Sequence, residues 1–243
     1  MKPQLIILLL AGVLLTSFNK KINTTLKMHS HTFENNLHLV SDMDSVLIDA
    51  LPFHLFWLDK PANFEVLSDN SISITAAKGT DIYTFVDGNY YINNAPKLLF
   101  TPDSNFIFSA KITPDFKGIY DGGAILLYSD SLNWSKLLFE KLDEDSWIIG
   151  SSVISDKKTD DSYHVDTKEK SVWLKVAKSG KIFNYYHSFD GKTWILTRTF
   201  HYDKPETLKI GFYSQSPKGP QCEVEFSNIR YKGEAFTDFF TGE

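Results

Sequence analysis

From Phe53 onward, hydrophobic and polar positions alternate with period two, in runs of about five to eight residues broken by Gly, Pro, Asn and Asp. Ser71-Ile72-Ser73-Ile74-Thr75 alternates without interruption, and Asn105–Ile112 puts Phe106, Phe108, Ala110 and Ile112 on one face. Cys222-Glu223-Val224-Glu225-Phe226 sets a cysteine on the apolar face, the position of a small core residue. Ser179-Gly180, between Val172–Lys178 and Ile182–Ser188, marks a hairpin, and Asp190-Gly191 ahead of Trp194–Phe200 marks the next. No stretch after residue 52 carries a helical stripe of about ten or more residues. About a dozen short strands with frequent turns, no alternating helices and no internal repeat predict an all-β fold, a two-sheet antiparallel β-sandwich or jelly roll. Gly122–Tyr128 is apolar on both faces, which predicts a central strand with one face in the core and the other in a partly covered groove.

The ends of the chain read differently. Met1-Lys2 precedes an apolar run, Leu5–Leu15, whose length suits a signal-peptide core and falls short of the roughly 20 residues of a spanning helix. Residues 1–21 are therefore expected to be a signal peptide for a secreted or periplasmic protein, with no membrane span once the signal is removed. Leu15-Thr16-Ser17-Phe18 has the outline of a lipoprotein processing site, but Phe18 stands where the lipid-bearing cysteine belongs. Residues 22–52, with His29, His31 and His38, are polar and read as a linker; the His29-x-His31 pair has no third ligand or supporting shell for a metal. Residues 53–232 form the sandwich domain. The tail, 233–243, carries Ala235-Phe236-Thr237-Asp238-Phe239-Phe240, apolar enough to dock on the domain or on a partner.

Composition narrows the function. The single cysteine excludes an internal disulfide, a thiolate zinc cluster and a CxxC redox pair. The net charge of −5, which becomes −8 once Lys2, Lys20 and Lys21 leave with the signal, argues against nucleic acid as a partner. Aromatic residues make up 14% of the chain, and their placement is informative. In Trp134-Ser135-Lys136-Leu137-Leu138-Phe139-Glu140, read as one strand, Trp134, Lys136, Leu138 and Glu140 share a face. A ring that stacks on sugar C–H groups, beside a cation and a carboxylate that bind hydroxyls, suits a polyhydroxylated ligand. Ser171–Val176 repeats the arrangement with Trp173 and Lys175 opposite Val172, Leu174 and Val176, and His187 and Arg198 extend the expected surface.

These segments also carry a family resemblance. Tyr120-Asp121-Gly122-Gly123-Ala124-Ile125-Leu126-Leu127, Asn133-Trp134-Ser135-Lys136 with Glu140, Val172-Trp173-Leu174-Lys175, Ser188-Phe189-Asp190-Gly191 with Trp194 and Arg198, and Gly211-Phe212-Tyr213-Ser214-Gln215-Ser216-Pro217 keep a characteristic order. In that order they resemble the concanavalin A-like family of unknown function that includes the regulation-of-enolase protein. More loosely, they resemble the C-terminal concanavalin-like domain of β-xylosidases. The resemblance implies a concanavalin-like jelly roll whose concave sheet bears the polar motif residues. Thr80-Asp81-Ile82-Tyr83 is similar to the family's Thr-Asp-aromatic motif, and Asp121, Trp134, Lys136, Glu140, Lys175 and Arg198 fall on its other polar positions. Lys175 and Lys178 stand where arginines are usual, and lysine lacks the bidentate fork.

The expected ligand is a glycan. Trp134, Trp173 and Tyr83 are the expected stacking platforms, and Asp81, Asp121, Lys136, Glu140 and Lys175 the hydrogen-bonding partners, with no cofactor and no metal. The preferred reading is a non-catalytic carbohydrate-binding module. A glycoside hydrolase is the alternative, with Glu140 and either Asp121 or Asp81 as the carboxylate pair. The chain contains neither E-x-D-x-x-E nor E-x-D-x-E, and Glu140 and Asp143, three apart, face opposite sides of a strand. Asp156-Lys157-Lys158-Thr159-Asp160-Asp161 reads as a solvated turn. A third reading is an envelope structural protein whose aromatic face is covered by a partner or by the tail.

Overall fold

The computed structural model describes residues 45–202 and 204–243. The signal-like segment and the three linker histidines lie outside these residues. The described chain is all-β apart from a single 3-10 turn at Pro205–Thr207. Seventeen strands occur where a dozen were expected, because several short edge strands have no periodicity of their own. The first sheet has eight strands in the order β1-β2-β7-β16-β9-β10-β11-β12. These are β1 Ser45–Val46, β2 Leu55–Leu58, β7 Lys97–Phe100, β9 Gly122–Asp130, β10 Asn133–Lys141, β11 Trp147–Ser155, β12 Lys158–Thr167 and β16 Lys209–Gln215. The second has seven, β15-β14-β13-β8-β17-β4-β3. They are β3 Asn63–Ser68, β4 Ser71–Ala77, β8 Phe106–Pro114, β13 Val172–Ser179, β14 Ile182–Ser188, β15 Ile195–His201 and β17 Gln221–Lys232. A separate hairpin joins β5 Ile82–Thr84 and β6 Tyr91–Asn93.

The predicted alternation is what packs the two sheets together. Phe106, Phe108, Ala110 and Ile112 of β8, with Ile72, Ile74, Cys222, Val224 and Phe226, meet Leu98, Phe100, Ile125, Leu127, Leu137, Phe139 and Phe212 of the opposite sheet in one apolar core. The tight turns fall where Gly180 and Gly191 supply positive φ angles of 59° and 70°. Val46, Ile48 and Leu51, read as linker, are buried in this core, so the packed domain begins before residue 53. The linker reading fails there because Val46-Leu47-Ile48 and Ala50-Leu51 are short apolar runs with no clear period.

The outer faces of the two sheets are covered differently. Over the eight-stranded sheet lies the β5–β6 hairpin, and beneath it a second apolar cluster unites Ile82, Ala95, Leu99, Ala124, Leu126, Tyr128, Trp134, Leu138, Ile154 and Tyr213. This accounts for the apolar character of both faces of Gly122–Tyr128. Over the seven-stranded sheet lies the C-terminal tail. Tyr186 Oη donates to Phe239 O at 2.8 Å, Lys175 Nζ donates to Thr241 O at 2.9 Å and pairs with the Glu243 carboxylate, and Phe236 packs against Ile107, Ala177 and Tyr186. The tail therefore docks on its own domain.

β16 is clamped between β7 and β9, and Gly211 lies where a Cβ would fall 2.0 Å from the carbonyl oxygen of Leu98. No side chain fits without pushing two central strands apart. Gly211→Ala is expected to lower the unfolding free energy by about 3 kcal/mol, the upper end for overpacking, because the obstacle is backbone; urea unfolding of the two proteins measures it.

Candidate functional site

The outer face of the eight-stranded sheet is not wholly covered by the hairpin. Beside it opens a cleft of about 450 Å³. Its floor comes from strands whose alternation sets the facing. Lys136, Leu138 and Glu140 of β10 point into it, as do Gly150 and Ser152 of β11, Asp161 and Tyr163 of β12, and Gln215 of β16. Asp81 and Tyr83 enter from the start of the hairpin, with Phe85 and Tyr90 following. Tyr120 closes the end next to the turn that leads into β9.

A continuous polar network organises the floor. Lys136 Nζ donates to Ile82 O at 2.8 Å and to Gln215 Oε1 at 3.2 Å, and lies 3.8 Å from Asp81 Oδ1. It also sits over the rings of Trp134 and Tyr213, 5.7 and 5.3 Å from their centroids. The Tyr213 hydroxyl accepts the Ile82 N–H at 2.8 Å and is shared between Asp81 Oδ1 at 3.1 Å and Gln215 Oε1 at 2.5 Å. Gln215 Nε2 then donates to Tyr120 O at 2.7 Å and to Glu140 Oε2 at 3.1 Å. Burial pushes the Glu140 carboxyl up to about 8; the Lys136 ammonium opposes the shift, while Asp81 and Asp161 add to it. Below that pH Glu140 is a neutral acid that can donate a hydrogen bond. Tyr83 is pushed up to about 12 by burial and by the Asp161 carboxylate that accepts its hydroxyl, so it stays a phenol.

Of the residues expected from the sequence, the cleft brings together Asp81, Tyr83, Lys136 and Glu140. The others are elsewhere. Trp134 is on the expected face but 0% exposed, sealed under the hairpin in the second apolar cluster, so its ring offers no platform. Asp121 is also fully buried. Its Oδ2 accepts the N–H groups of Lys117 and Gly118 at 2.9 and 2.7 Å and its Oδ1 accepts Ser216 Oγ at 2.8 Å, which makes it a clamp for the loop before β9 and leaves it outside the cleft lining. Trp173 and Lys175 belong to β13 of the other sheet. Trp173 lies beneath Lys111 Nζ at 4.9 Å, and Lys175, 2% exposed, is held between the tail and the rings of Trp194 and Tyr186. Period two fixes the side of a strand on which a residue lies, but not the sheet to which the strand belongs.

His187 of β14 is buried and bonded through Nδ1 to Thr197 Oγ1 at 2.7 Å, and burial holds its imidazole below its usual range. Arg198 of β15 spans the open edge of the sandwich: Nη1 donates to Ser151 Oγ at 3.0 Å and Nη2 pairs with Asp160 at 2.7 Å. Both residues brace the fold and neither lines the cleft.

Asp161, Gln215 and the rim residues Phe85, Tyr90, Tyr120 and Tyr163 were not anticipated. Asp161 belongs to what reads as a charged turn. The turn itself is only Asp156-Lys157, both with positive φ, and the pairing resumes at once, placing Asp161 opposite Ser152. The signal that could have found Gln215 is its i, i+2 relation to Tyr213 on a strand paired with β9.

Residues 57–234 match the model of a family described as a protein of unknown function, DUF1349. No curated protein matches the chain. Among solved structures, the chain is similar to a functionally unknown protein from Saccharomyces cerevisiae, at 20% identity and a TM-score of 0.68 over 74% of this chain and 96% of that one. It is similar also to a GH43 glycoside hydrolase engineered for both endo-xylanase and exo-arabinofuranosidase activity, at 13% identity and a TM-score of 0.55 over 78% of this chain and 40% of that one. A bifunctional GH43-CE protein from Bacteroides eggerthii aligns at 14% identity and a TM-score of 0.53, over 76% of this chain and 24% of that one. At these identities the likeness is one of fold, and the chain corresponds to less than half of either enzyme.

Glu140 has a measurable consequence. Its native carboxyl keeps a proton that the unfolded chain releases above about 4.5. Its contribution is therefore fully present below pH 4.5 and is lost as pH rises towards and through about 8. Across that window stability should fall by up to about 1.4 kcal/mol per pH unit, and Glu140→Gln should flatten the slope; urea unfolding at pH 5, 6, 7 and 8 checks it, and parallel slopes in the two proteins would place the titration elsewhere.

Proposed function

We propose that this chain, which belongs to the DUF1349 family of unknown function, is an exported carbohydrate-binding module that takes a glycan in the cleft beside the β5–β6 hairpin. The observation that carries the reading is the pairing of an aromatic rim with a polar floor. Tyr163, 71% exposed, faces the cleft with Tyr83, Phe85, Tyr90 and Tyr120. Rings of this kind stack on the C–H faces of sugars, while Asp81 accepts hydroxyl protons and neutral Glu140 donates one. The role first assigned to Trp134 and Trp173 passes to these tyrosines. Export rests on the N-terminal segment, Leu5–Leu15 behind Lys2.

A second reading draws on the raised carboxyl of Glu140, since a buried acid that keeps its proton near neutrality has the character of a general acid. In a glycoside hydrolase Asp81 would be the other carboxylate, because Asp121 has one oxygen engaged by the loop before β9 and the other by Ser216. The two readings separate on one pair of variants. For a binding module, titration with neutral β-1,4-linked oligosaccharides, followed by calorimetry, is expected to give millimolar to micromolar affinity. That affinity should weaken about five- to tenfold in Tyr163→Ala, the equivalent of roughly 1–1.4 kcal/mol for a lost stacking contact, with no product in long incubations. Release of reducing ends by the wild type, abolished by Glu140→Gln while binding persists, would establish the hydrolase instead.

A further inference from the structure

The cleft's charges are unevenly available, and this bears on which glycans it accepts. Among the described residues Lys136 is the only cation in the floor, and its ammonium is held by partners within the chain. It donates to Ile82 O and Gln215 Oε1 and forms an ion pair with Asp81 Oδ1 at 3.8 Å. It is also capped by the faces of two aromatic rings. A carboxylated ligand finds no free donor on it. The other lysine of the lining, Lys218, sits exposed at the rim.

The carboxylates are arranged the other way. Asp81, Glu140 and Asp161 lie near enough to one another that the two aspartates act on the Glu140 carboxyl. Asp161 is itself exposed on β12 and accepts the phenolic hydroxyl of Tyr83. Among the described residues no group of three or more His, Cys, Asp and Glu side chains could hold a metal ion, so the acidic cluster does not read as a cation centre of that kind. Around it stand aromatic rings, whose faces attract positive charge through their quadrupole. An exposed Asp161 carboxylate within a collar of aromatic rings matches an organic ammonium group.

We infer that the cleft selects, among glycans, those that carry free amines: it takes a glucosamine-type oligosaccharide in preference to its neutral counterpart, and both in preference to a uronic-acid oligosaccharide. The inference rests on the carbohydrate-binding reading given above. Asp161 is the residue that sets the preference, since its charge is exposed beside the rings, whereas Asp81 is tied to Tyr213 and Lys136.

The test is a comparison of three probes of equal length on the full chain at pH 6, where a sugar amine is charged: β-1,4-linked oligomers of glucosamine, of glucose and of glucuronic acid. A charge-assisted contact predicts about tenfold tighter binding for the glucosamine oligomer than for the glucose oligomer, with the uronate weakest, and a margin that narrows with added salt. Asp161→Asn should reduce the glucosamine-to-glucose ratio towards one, whatever it does to absolute affinity. Glu144→Gln, which removes an equally exposed carboxylate outside the cleft, should leave the ratio in place. Equal binding of the first two probes, a uronate preference, or an equal loss of margin in Glu144→Gln would overturn the charge inference while the carbohydrate reading stands. Binding of none of the three would overturn both.

Discussion

The site depends on a lysine buried where no lysine is cheap to bury. Lys136 stands on the outer face of a central strand, between the faces of Trp134 and Tyr213, and is 3% exposed. Such a charge is tolerated only when its protons are satisfied, and its partners come from two separate parts of the chain: Asp81 and the Ile82 carbonyl at the start of the hairpin, and Gln215 on β16. One ammonium thus pins the β5–β6 hairpin onto the sheet, fixes the orientation of the Gln215 amide and holds Asp81 at the cleft. Glu140 is the complement of this arrangement. It lies close enough to Lys136 to feel its charge, yet is buried deeply enough that the neutral form prevails at moderate pH. Remove the ammonium and the hairpin loses its anchor at the point where the cleft begins.

The fold was legible in the sequence because a sandwich encodes its inner faces in strict alternation. The runs around Ile72, Phe108 and Val224 each put the right residues in the core, and Ser179-Gly180 and Asp190-Gly191 turned where expected. The outer faces were legible only in part. Trp134, Lys136 and Glu140 were correctly placed on one side of β10, but alternation carries no information about what lies on top of that side. The hairpin that seals Trp134 is made from residues 82–93, about fifty positions earlier in the chain, and its cover is a long-range fact. Trp173 and Lys175 were misplaced for a related reason. Two strands with the same pattern of Trp and Lys look like neighbours in sequence, yet here they face away from each other on opposite sheets. Asp161 was lost to the general expectation that a run of charges is a turn, when a two-residue turn suffices and the remainder of the run belongs to a strand.

The relation to the enzyme structures follows the same logic. The two GH43-related chains described contain a region similar in fold to this sandwich, and the chain covers 40% and 24% of them. A shared sandwich reports how two sheets pack, which the inner faces decide, while chemistry resides in the outer-face residues, which are free to differ beneath a constant core. The floor of the cleft is therefore the part of the molecule from which function must be argued. Its particular composition, a satisfied lysine, a neutral glutamic acid and exposed aspartate among tyrosines, is a property of these residues at these positions.

The two outer faces show why one is a candidate site and the other is not. Each has a buried lysine set against two aromatic rings: Lys136 with Trp134 and Tyr213, Lys175 with Trp194 and Tyr186. On the seven-stranded sheet the chain's own tail lies across the lysine, supplying a carbonyl from Thr241 and a carboxylate from Glu243, and Phe236 fills the apolar ground beside it. That face is closed by the molecule itself, with charge and shape both answered. On the eight-stranded sheet the hairpin answers the lysine but stops short of Glu140, Tyr120, Asp161 and Tyr163, which remain around an open cleft. The same local device thus ends in a finished contact on one side and an unfinished one on the other, and the unfinished side is where a ligand can supply what the chain does not.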